Sequence, residues 1–447
     1  MVKGRTIVYV CSNCGGQSSS WSGRCPHCQE WNSLEEQVTV SSSKSASSAH
    51  ALSYEPIDQS IEDKQQRLTT NIDEVDNVLG GGIVRGSINL IAGQPGIGKS
   101  TLLMQIASQV SKSYKTLYVS GEESLEQIAL RAKRLGIKSK SLELASSNST
   151  DDIVSTINSK TFDLIIIDSI QTISTSEIAS SAGSVAQITN STALISHAAK
   201  QYGTAIVLVG HVTKEGYIAG PKILEHLVDV VLQLEGDKYG GFKILRATKN
   251  RYGSINDTGI FEMTDLGLKP LDNPSKTLLS ERQISDGSIV HATIEGNRPL
   301  LVEIQALVNT SNFGYPKRTA SGFDLNRLNL LVAMIEKRTK LKLSDKDIYI
   351  NVVGGIQLKE PASDLAICMA IASATTGHKL KSDLVVFGEL GLSGEVRRVP
   401  FAEKRLAEAK NLGFKGAIGP EDKSIKDSGL NAVKQIRQAL IDYLEKS

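Results

Sequence analysis

Short apolar runs recur through the middle of the chain, at 88–92, 116–120, 164–168 and 205–210. Between them the apolar positions switch to helical spacing: after the first run, Leu102, Leu103, Ile106 and Val110 fall on one face of a helix. Apolar strands alternating with amphipathic helices predict an α/β fold, a mostly parallel sheet covered by helices, over about residues 67–270. Residues 1–36 form a small cysteine module. Ser41, Ser42, Ser43, Ser45, Ser47 and Ser48 mark 37–66 as a flexible linker with little to bury. A turn-rich passage at 271–275 leads into a second mixed α/β domain, residues 271–447, and no internal repeat is visible.

At 447 residues, 40% of them hydrophobic, the chain is long enough for two or three domains with proper cores. No apolar run approaches the ~20 residues that a membrane span needs. The first ten residues are too short in their apolar part, and too soon followed by cysteines, for a signal peptide. The expected location is the cytoplasm, with no membrane partner. The 50 basic and 48 acidic side chains leave a net charge of only +2, so any contact with nucleic acid must come from local basic patches.

Four of the five cysteines lie in the first 28 residues, where Cys11 and Cys14, then Cys25 and Cys28, form two CxxC knuckles ten residues apart. A CxxC turn puts two thiolates on one side of a tight loop, and two such turns complete a tetrahedron around Zn²⁺. That reading outweighs a redox dithiol or a disulfide pair, since a reducing cytosol leaves such a cluster as thiols. Gly15, Gly16 and Gly23 supply the sharp turns. His27 is read as a surface residue because four thiolates already close the site. Trp21 and Trp31 could stack on bases, but a module this small is expected to need them for its core. Cys368, inside the apolar run 365–372, reads as a small buried hydrophobe.

The strongest motif is Gly93, Gln94, Pro95, Gly96, Ile97, Gly98, Lys99, Ser100, Thr101, a full GxxxxGK[ST] between a strand and an amphipathic helix. Its glycines let backbone N–H groups point at phosphates, and the helix N-terminus adds favourable electrostatics. Lys99 is the expected contact to the β- and γ-phosphates of ATP, and Ser100 a ligand of Mg²⁺. The run 164–167 ends in Asp168, the pattern that holds the metal through water. The strand 116–120 ends in Gly121, Glu122 and Glu123. Glu122 is the favoured base for the attacking water and Glu123 the spare, although acids at a helix start are also favoured structurally. The fourth strand delivers His211, which could sense the γ-phosphate or hold a loop. In an open parallel sheet the ligand sits beyond the carboxyl ends of the strands, and Gly93, Glu122, Asp168 and His211 all belong there.

Gly80, Gly81 and Gly82 ahead of the P-loop, with Gly121-Glu122-Glu123-Ser124 after it, resemble the RecA/DnaB group of ATPases. Lys249, Asn250, Arg251, Tyr252 and Gly253 are similar to the KNRFG signature of the bacterial RadA (Sms) family, with Tyr252 in place of Phe. Gly23, Arg24, Pro26, His27, Trp31 and Asn32 around the second knuckle match it too, and the resemblance covers essentially the whole chain. It implies a RecA-like core and a DNA-stimulated ATPase of recombinational repair. Such a protein drives branch migration as a homo-hexameric, DnaB-like helicase on single-stranded and branched DNA. By position, Lys249 and Arg251 would reach the neighbouring subunit's ATP as trans-acting fingers. A recombinase filament or replicative-repair proteins are candidate partners of the zinc module. DNA contact is expected from the polar stretches 174–190 and 212–222, the second of which offers Lys214 and Lys222 to phosphates.

From about residue 283 the chain resembles the proteolytic domain of Lon, through Gly388-Glu389, Gly391, Gly394 and Val396. Ser363 falls near the Lon nucleophile, but the flanking glycines are absent. The lysine base should follow, and by count its position is Glu403, with Lys404 one residue off. A Ser–Lys dyad needs the amine within hydrogen-bond reach of the hydroxyl. A one-residue slip on a helix between Pro400 and Gly413 turns a side chain about 100° away. The domain is therefore expected to be proteolytically inactive and to serve ring assembly and DNA binding. Arg318, Arg327, Lys337, Arg338, Lys340 and Lys342 supply local positive charge. The rival readings are an ATP-dependent protease or unfoldase of the Lon type, and a nucleotide-switched zinc adaptor that does not translocate.

Overall fold

The computed structural model describes residues 5–40, 67–211, 223–236, 242–271, 273–311, 315–422, 425 and 429–445. Lys214, Lys222 and most of the serine-rich stretch lie outside the described residues. The chain divides into two compact units, one comprising Met1–Glu235 with Lys243–Pro270, the other mainly Leu271–Ser447.

Within the first unit, the cysteine module is an antiparallel sheet of β1 (Arg5–Cys11), β2 (Gln17–Ser18) and β3 (Leu34–Val40), in the order β2-β1-β3. Strand β3 carries the module past the boundary at residue 36 that the serine content suggests. Its buried centre is Cys11, Cys25 and Leu34, with Tyr9, Cys14 and Cys28 packed around them. The expectation that both tryptophans fill this core is wrong: Trp21 is 58% and Trp31 68% exposed. The knuckles themselves occupy the centre, which leaves no volume for an indole. Arg24 instead sits over the face of Trp31 at 5.7 Å.

The rest of this unit is built on a nine-stranded sheet. Its elements are β4 (Arg67–Leu68), α1 (Asp73–Leu79), β5 (Ile83–Val84), β6 (Ile88–Gly93), α2 (Lys99–Val110), β7 (Thr116–Ser120), α3 (Leu125–Arg134), β8 (Leu142–Ser146), α4 (Thr150–Asn158), β9 (Leu164–Asp168), α5 (Val185–Tyr202), β10 (Ala205–His211), α6 (Ile223–Leu227), β11 (Val230–Glu235), β12 (Phe242–Asn250), β13 (Thr258–Thr264) and β14 (Gly267–Pro270). The sheet order is β14-β13-β12-β11-β6-β10-β9-β7-β8, and β4 pairs β5 as a separate hairpin. Strands β11, β6, β10, β9, β7 and β8 pair in parallel. Each face of the sheet has its own core. Leu102, Leu103, Ile106 and Val110 pack on one and Ile188 and Ile195 on the other, so the central runs are apolar at nearly every position, and the buried Asn89 of β6 is satisfied by the Ser87 hydroxyl and the Ile206 carbonyl.

The polar stretch 174–190 is not all loop. Helix α5 begins at Val185, and the Gln187 side chain is buried against the carbonyls of Thr175, Ile178 and Ser180. Asp151 accepts hydrogen bonds from Thr175 and Ser176.

The second unit is a seven-stranded mixed sheet, ordered Arg318–Ser321, Lys346–Val352, Arg298–Thr310, Ser288–Glu295, Leu384–Val386, Gly416–Gly419 and Leu430–Ala432. Its central helix, Asp364–Thr376, is buried over ten successive residues, with Cys368 fully enclosed among them. Among the described residues, no helix is long and apolar enough to cross a membrane.

Candidate functional site

Strands β6, β7, β9 and β10 end at Gly93, Ser120, Asp168 and His211, so the carboxyl edge of the sheet collects the residues the motifs single out. His211 is in register with Gly93 across the β10–β6 pair. Gln94, Pro95 and Gly96 are exposed, whereas Ile97 plugs into the core and anchors the loop. The turn needs glycine at Gly98, whose φ is 114° and where a Cβ would sit 2.7 Å from Met263. Ser100 and Thr101 lie in the first turn of α2.

The Lys99 ammonium is 5% exposed and donates to the carbonyls of Gly93 at 2.8 Å and Gln94 at 3.1 Å. Burial pushes it below the usual lysine range, against the opposing pull of Asp168 and Glu122. A phosphate oxygen beside it would return the charge balance that burial removes. Glu122 accepts a hydrogen bond from the Ser169 hydroxyl at 2.6 Å. Glu123 is ion-paired to Arg131 and so turned to a structural partner. Glu122, with Asp168, is the carboxylate whose charge acts on Lys99. Tyr118, which its apolar setting in the sequence concealed, reaches Asp168 with its hydroxyl at 2.6 Å.

The KNRYG segment lies elsewhere. Asn250, the last residue of β12, pairs with Val230, and Val230 pairs with Asn89 near the start of β6. Lys249 and Arg251 are thus level with the beginning of β6, about 13 Å along the strand from the phosphate loop at ~3.3 Å per residue. Lys249 donates to the carbonyls of Glu225 at 2.7 Å and Val228 at 2.8 Å. Arg251 pairs at 2.9 Å with Asp229, whose side chain is only 2% exposed. Asp229 also accepts the backbone N–H of Ile88 at 3.0 Å. Its one visible signal in the sequence is a lone carboxylate heading the apolar run 230–232.

In the cysteine module the four sulfurs lie within 4.8 Å of one another, with Cys11 to Cys28 and Cys14 to Cys25 both at 3.6 Å. A tetrahedron with Zn–S arms of ~2.3 Å has edges of about 3.8 Å, so the donor set fits zinc. Burial and the neighbouring thiols push Cys14 up to about 12. For Cys11 burial acts upward too, but the Ser33 hydroxyl and the backbone N–H groups of Cys14 and Asn13 bring it down to about 6. Sulfurs crowded this closely cannot all ionise alone, and a bound cation would let the four become thiolates together.

Known proteins match along the whole length. The DNA repair protein RadA of Aquifex aeolicus is 44% identical over 442 residues, 98% of this chain and 99% of its own. Those of Listeria monocytogenes and Bacillus subtilis are 45% and 47% identical, over 98% and 92% of this chain and the same shares of their own. The chain belongs to the RadA family. Family models divide it further: a rubredoxin metal binding domain matches residues 9–36, an AAA domain 59–217, and subunit ChlI of Mg-chelatase 328–423. The crystal structure of the RadB recombinase aligns over 46% of this chain and all of its own at 19% identity, with a TM-score of 0.38, a likeness too low to carry weight.

The C-terminal unit of this RadA family member gives its would-be dyad no common ground. Ser363 is fully buried, and its hydroxyl donates to the Glu360 carbonyl at 3.0 Å. Lys404 points outward over Phe401, with Asn297 O at 3.4 Å. The cation that faces inward from the Ala402–Asn411 helix is Arg405, which the sequence reading passed over. It is fully buried and forks onto Glu360 at 2.7 and 2.6 Å. Of the basic residues read as a positive patch, Arg327 is ion-paired to the buried Asp364 and Arg338 donates to the Leu392 carbonyl. Arg318 donates to Asn329.

Proposed function

We propose that this chain is a DNA-stimulated ATPase of recombinational repair that drives branch migration as a hexameric ring on single-stranded and branched DNA. Lys249 and Arg251 complete the neighbour's nucleotide site. The relatives are DNA repair proteins, which supports the setting. The observation that carries the ring is the separation of parts. The two cations are tethered about 13 Å along the sheet from their own phosphate loop, so a role in hydrolysis requires a second subunit.

In this reading the backbone N–H groups of Gly93, Gln94, Gly96, Ile97 and Gly98 and the Lys99 ammonium bind the phosphates, and Ser100 and Asp168 would hold Mg²⁺. The metal would neutralise charge on the β- and γ-phosphate oxygens. Glu122 orients a water for in-line attack on the γ-phosphorus and takes its proton, while the β–γ bridging oxygen leaves with the bond's electron pair. Four thiolates, Cys11, Cys14, Cys25 and Cys28, hold Zn²⁺ structurally. The C-terminal unit is not a protease: a buried Ser363 already bonded to a carbonyl, with Lys404 turned outward, supports that reading.

The test is subunit mixing. Lys99→Ala keeps the cations and loses the phosphate contact, and Arg251→Ala does the reverse. Each alone is expected to lose DNA-stimulated turnover, while mixed assemblies regain part of it, because a Lys99→Ala subunit offers its Arg251 to an intact P-loop next door. Mixtures no more active than the separate variants would refute the trans arrangement. Turnover indifferent to DNA would refute the motor.

A further inference from the structure

Tyr118 sits in the middle of β7 with none of its surface exposed, packed into the core beneath α2. A phenyl ring would fill that space equally well. A buried hydroxyl must find a partner, since an unsatisfied one costs roughly 1–3 kcal/mol. Here the partner is Oδ2 of Asp168 at 2.6 Å, on the adjacent parallel strand β9. The register explains the reach. Ser120 is paired with Asp168, and Tyr118 lies two residues earlier on the same face of β7, so its long ring spans the difference.

We propose that Tyr118 is a positioning residue for the metal-binding carboxylate: its hydroxyl commits one oxygen of Asp168 and leaves the other to the water shell of Mg²⁺. The inference rests on reading this edge as an ATP–Mg²⁺ site and adds a residue that no part of the P-loop motif contains. The same strand end organises the rest of the edge. The Ser120 hydroxyl accepts the backbone N–H groups of Glu122 at 3.2 Å and Glu123 at 2.9 Å. One strand thereby sets both the metal carboxylate and the turn carrying the candidate base. Hydrogen-bond partners behind a metal-binding carboxylate typically govern metal affinity by 10–100-fold.

The experiment measures binding of a fluorescent ATP analogue to the full chain, first in EDTA and then across a Mg²⁺ titration, for wild type, Tyr118→Phe, Asp168→Asn and the double variant. Tyr118→Phe is expected to bind the analogue in EDTA as wild type does. Its Mg²⁺ midpoint should rise by roughly tenfold or more. In the Asp168→Asn background, removing the hydroxyl should shift the midpoint no further, because Tyr118 acts through that carboxylate. A Tyr118→Phe midpoint equal to wild type would overturn the proposal, and so would equal shifts in both backgrounds. If the wild type itself showed no Mg²⁺-dependent binding, the ATP–Mg²⁺ reading would fall instead. Thermal melting of each variant separates loss of fold from loss of metal affinity. Should Tyr118→Phe not fold, Tyr118→Met serves as the second variant with the same expected and overturning midpoints.

Discussion

The nucleotide edge and the interior of the C-terminal unit use the same chemical parts for opposite ends. Both bring a cation, at least one carboxylate and a serine together. At the edge, Lys99, Asp168, Glu122 and Ser100 gather where parallel strands stop; Lys99 donates to backbone carbonyls, and Asp168 and Glu122 each accept a hydroxyl. In the C-terminal unit, Arg405 is saturated by Glu360, the Ala292 carbonyl and the Pro400 carbonyl, and Ser363 is spent on a carbonyl of its own turn. Charges that neutralise one another inside a core cannot be recruited to chemistry. Residue types alone therefore do not make an active site; unspent hydrogen-bonding capacity at an accessible edge does.

The largest effects are expected from a pair of substitutions, one in each region. Lys99→Ala should lower ATP turnover by roughly 10³-fold, about 4 kcal/mol of barrier, with little change in the melting temperature. Glu360→Gln should do the reverse. It leaves the fully buried Arg405 uncompensated and costs about 3 kcal/mol of stability, at the low end for a broken buried pair because Glu360 is partly exposed. Melting curves and ATPase rates on both variants check it. If Glu360→Gln melted like wild type, the contrast between the two regions would collapse.

A smaller effect follows from His291, enclosed beside the same pair. Its Nδ1 donates to the Val386 carbonyl at 2.8 Å. Burial, then the Arg405 charge, pushes its pKa down to about 4, from 6.5. The unfolded chain takes up a proton near pH 6.5 that the folded core refuses until near pH 4. Stability is therefore full above pH 6.5 and falls as the pH drops toward 4. At pH 5 the loss is about 2 kcal/mol, at 1.36 kcal/mol per pKa unit. Denaturant melts of the C-terminal unit's transition at pH 7 and pH 5 measure it, and His291→Gln should flatten the difference.

The smallest expected effect is Ser363→Ala. It removes one local hydrogen bond, worth about 1 kcal/mol or less, and should leave ATPase unchanged. Wild type and variant alike should leave casein uncut, with or without ATP. Wild-type cleavage lost on substitution would restore the protease reading.

Local patterns settled the parts of this molecule that depend on neighbours in sequence. The glycines and lysine of residues 93–101 act within one turn, the CxxC knuckles close over two residues each, and the apolar runs 88–92 and 164–168 announce strands buried on both faces. The tryptophan expectation failed because whether a ring packs depends on the volume left after the knuckles fill the centre, which composition does not record. Tyr118 meeting Asp168, Asp229 holding Arg251, and Arg405 displacing Lys404 as the inward cation are partnerships between residues 50, 22 and 45 positions apart, the last with Glu360. Strand order, register and helix phase decide such encounters. A hydrogen bond is a short-range, directional contact, so its existence turns on ångström placement that only the assembled sheet supplies.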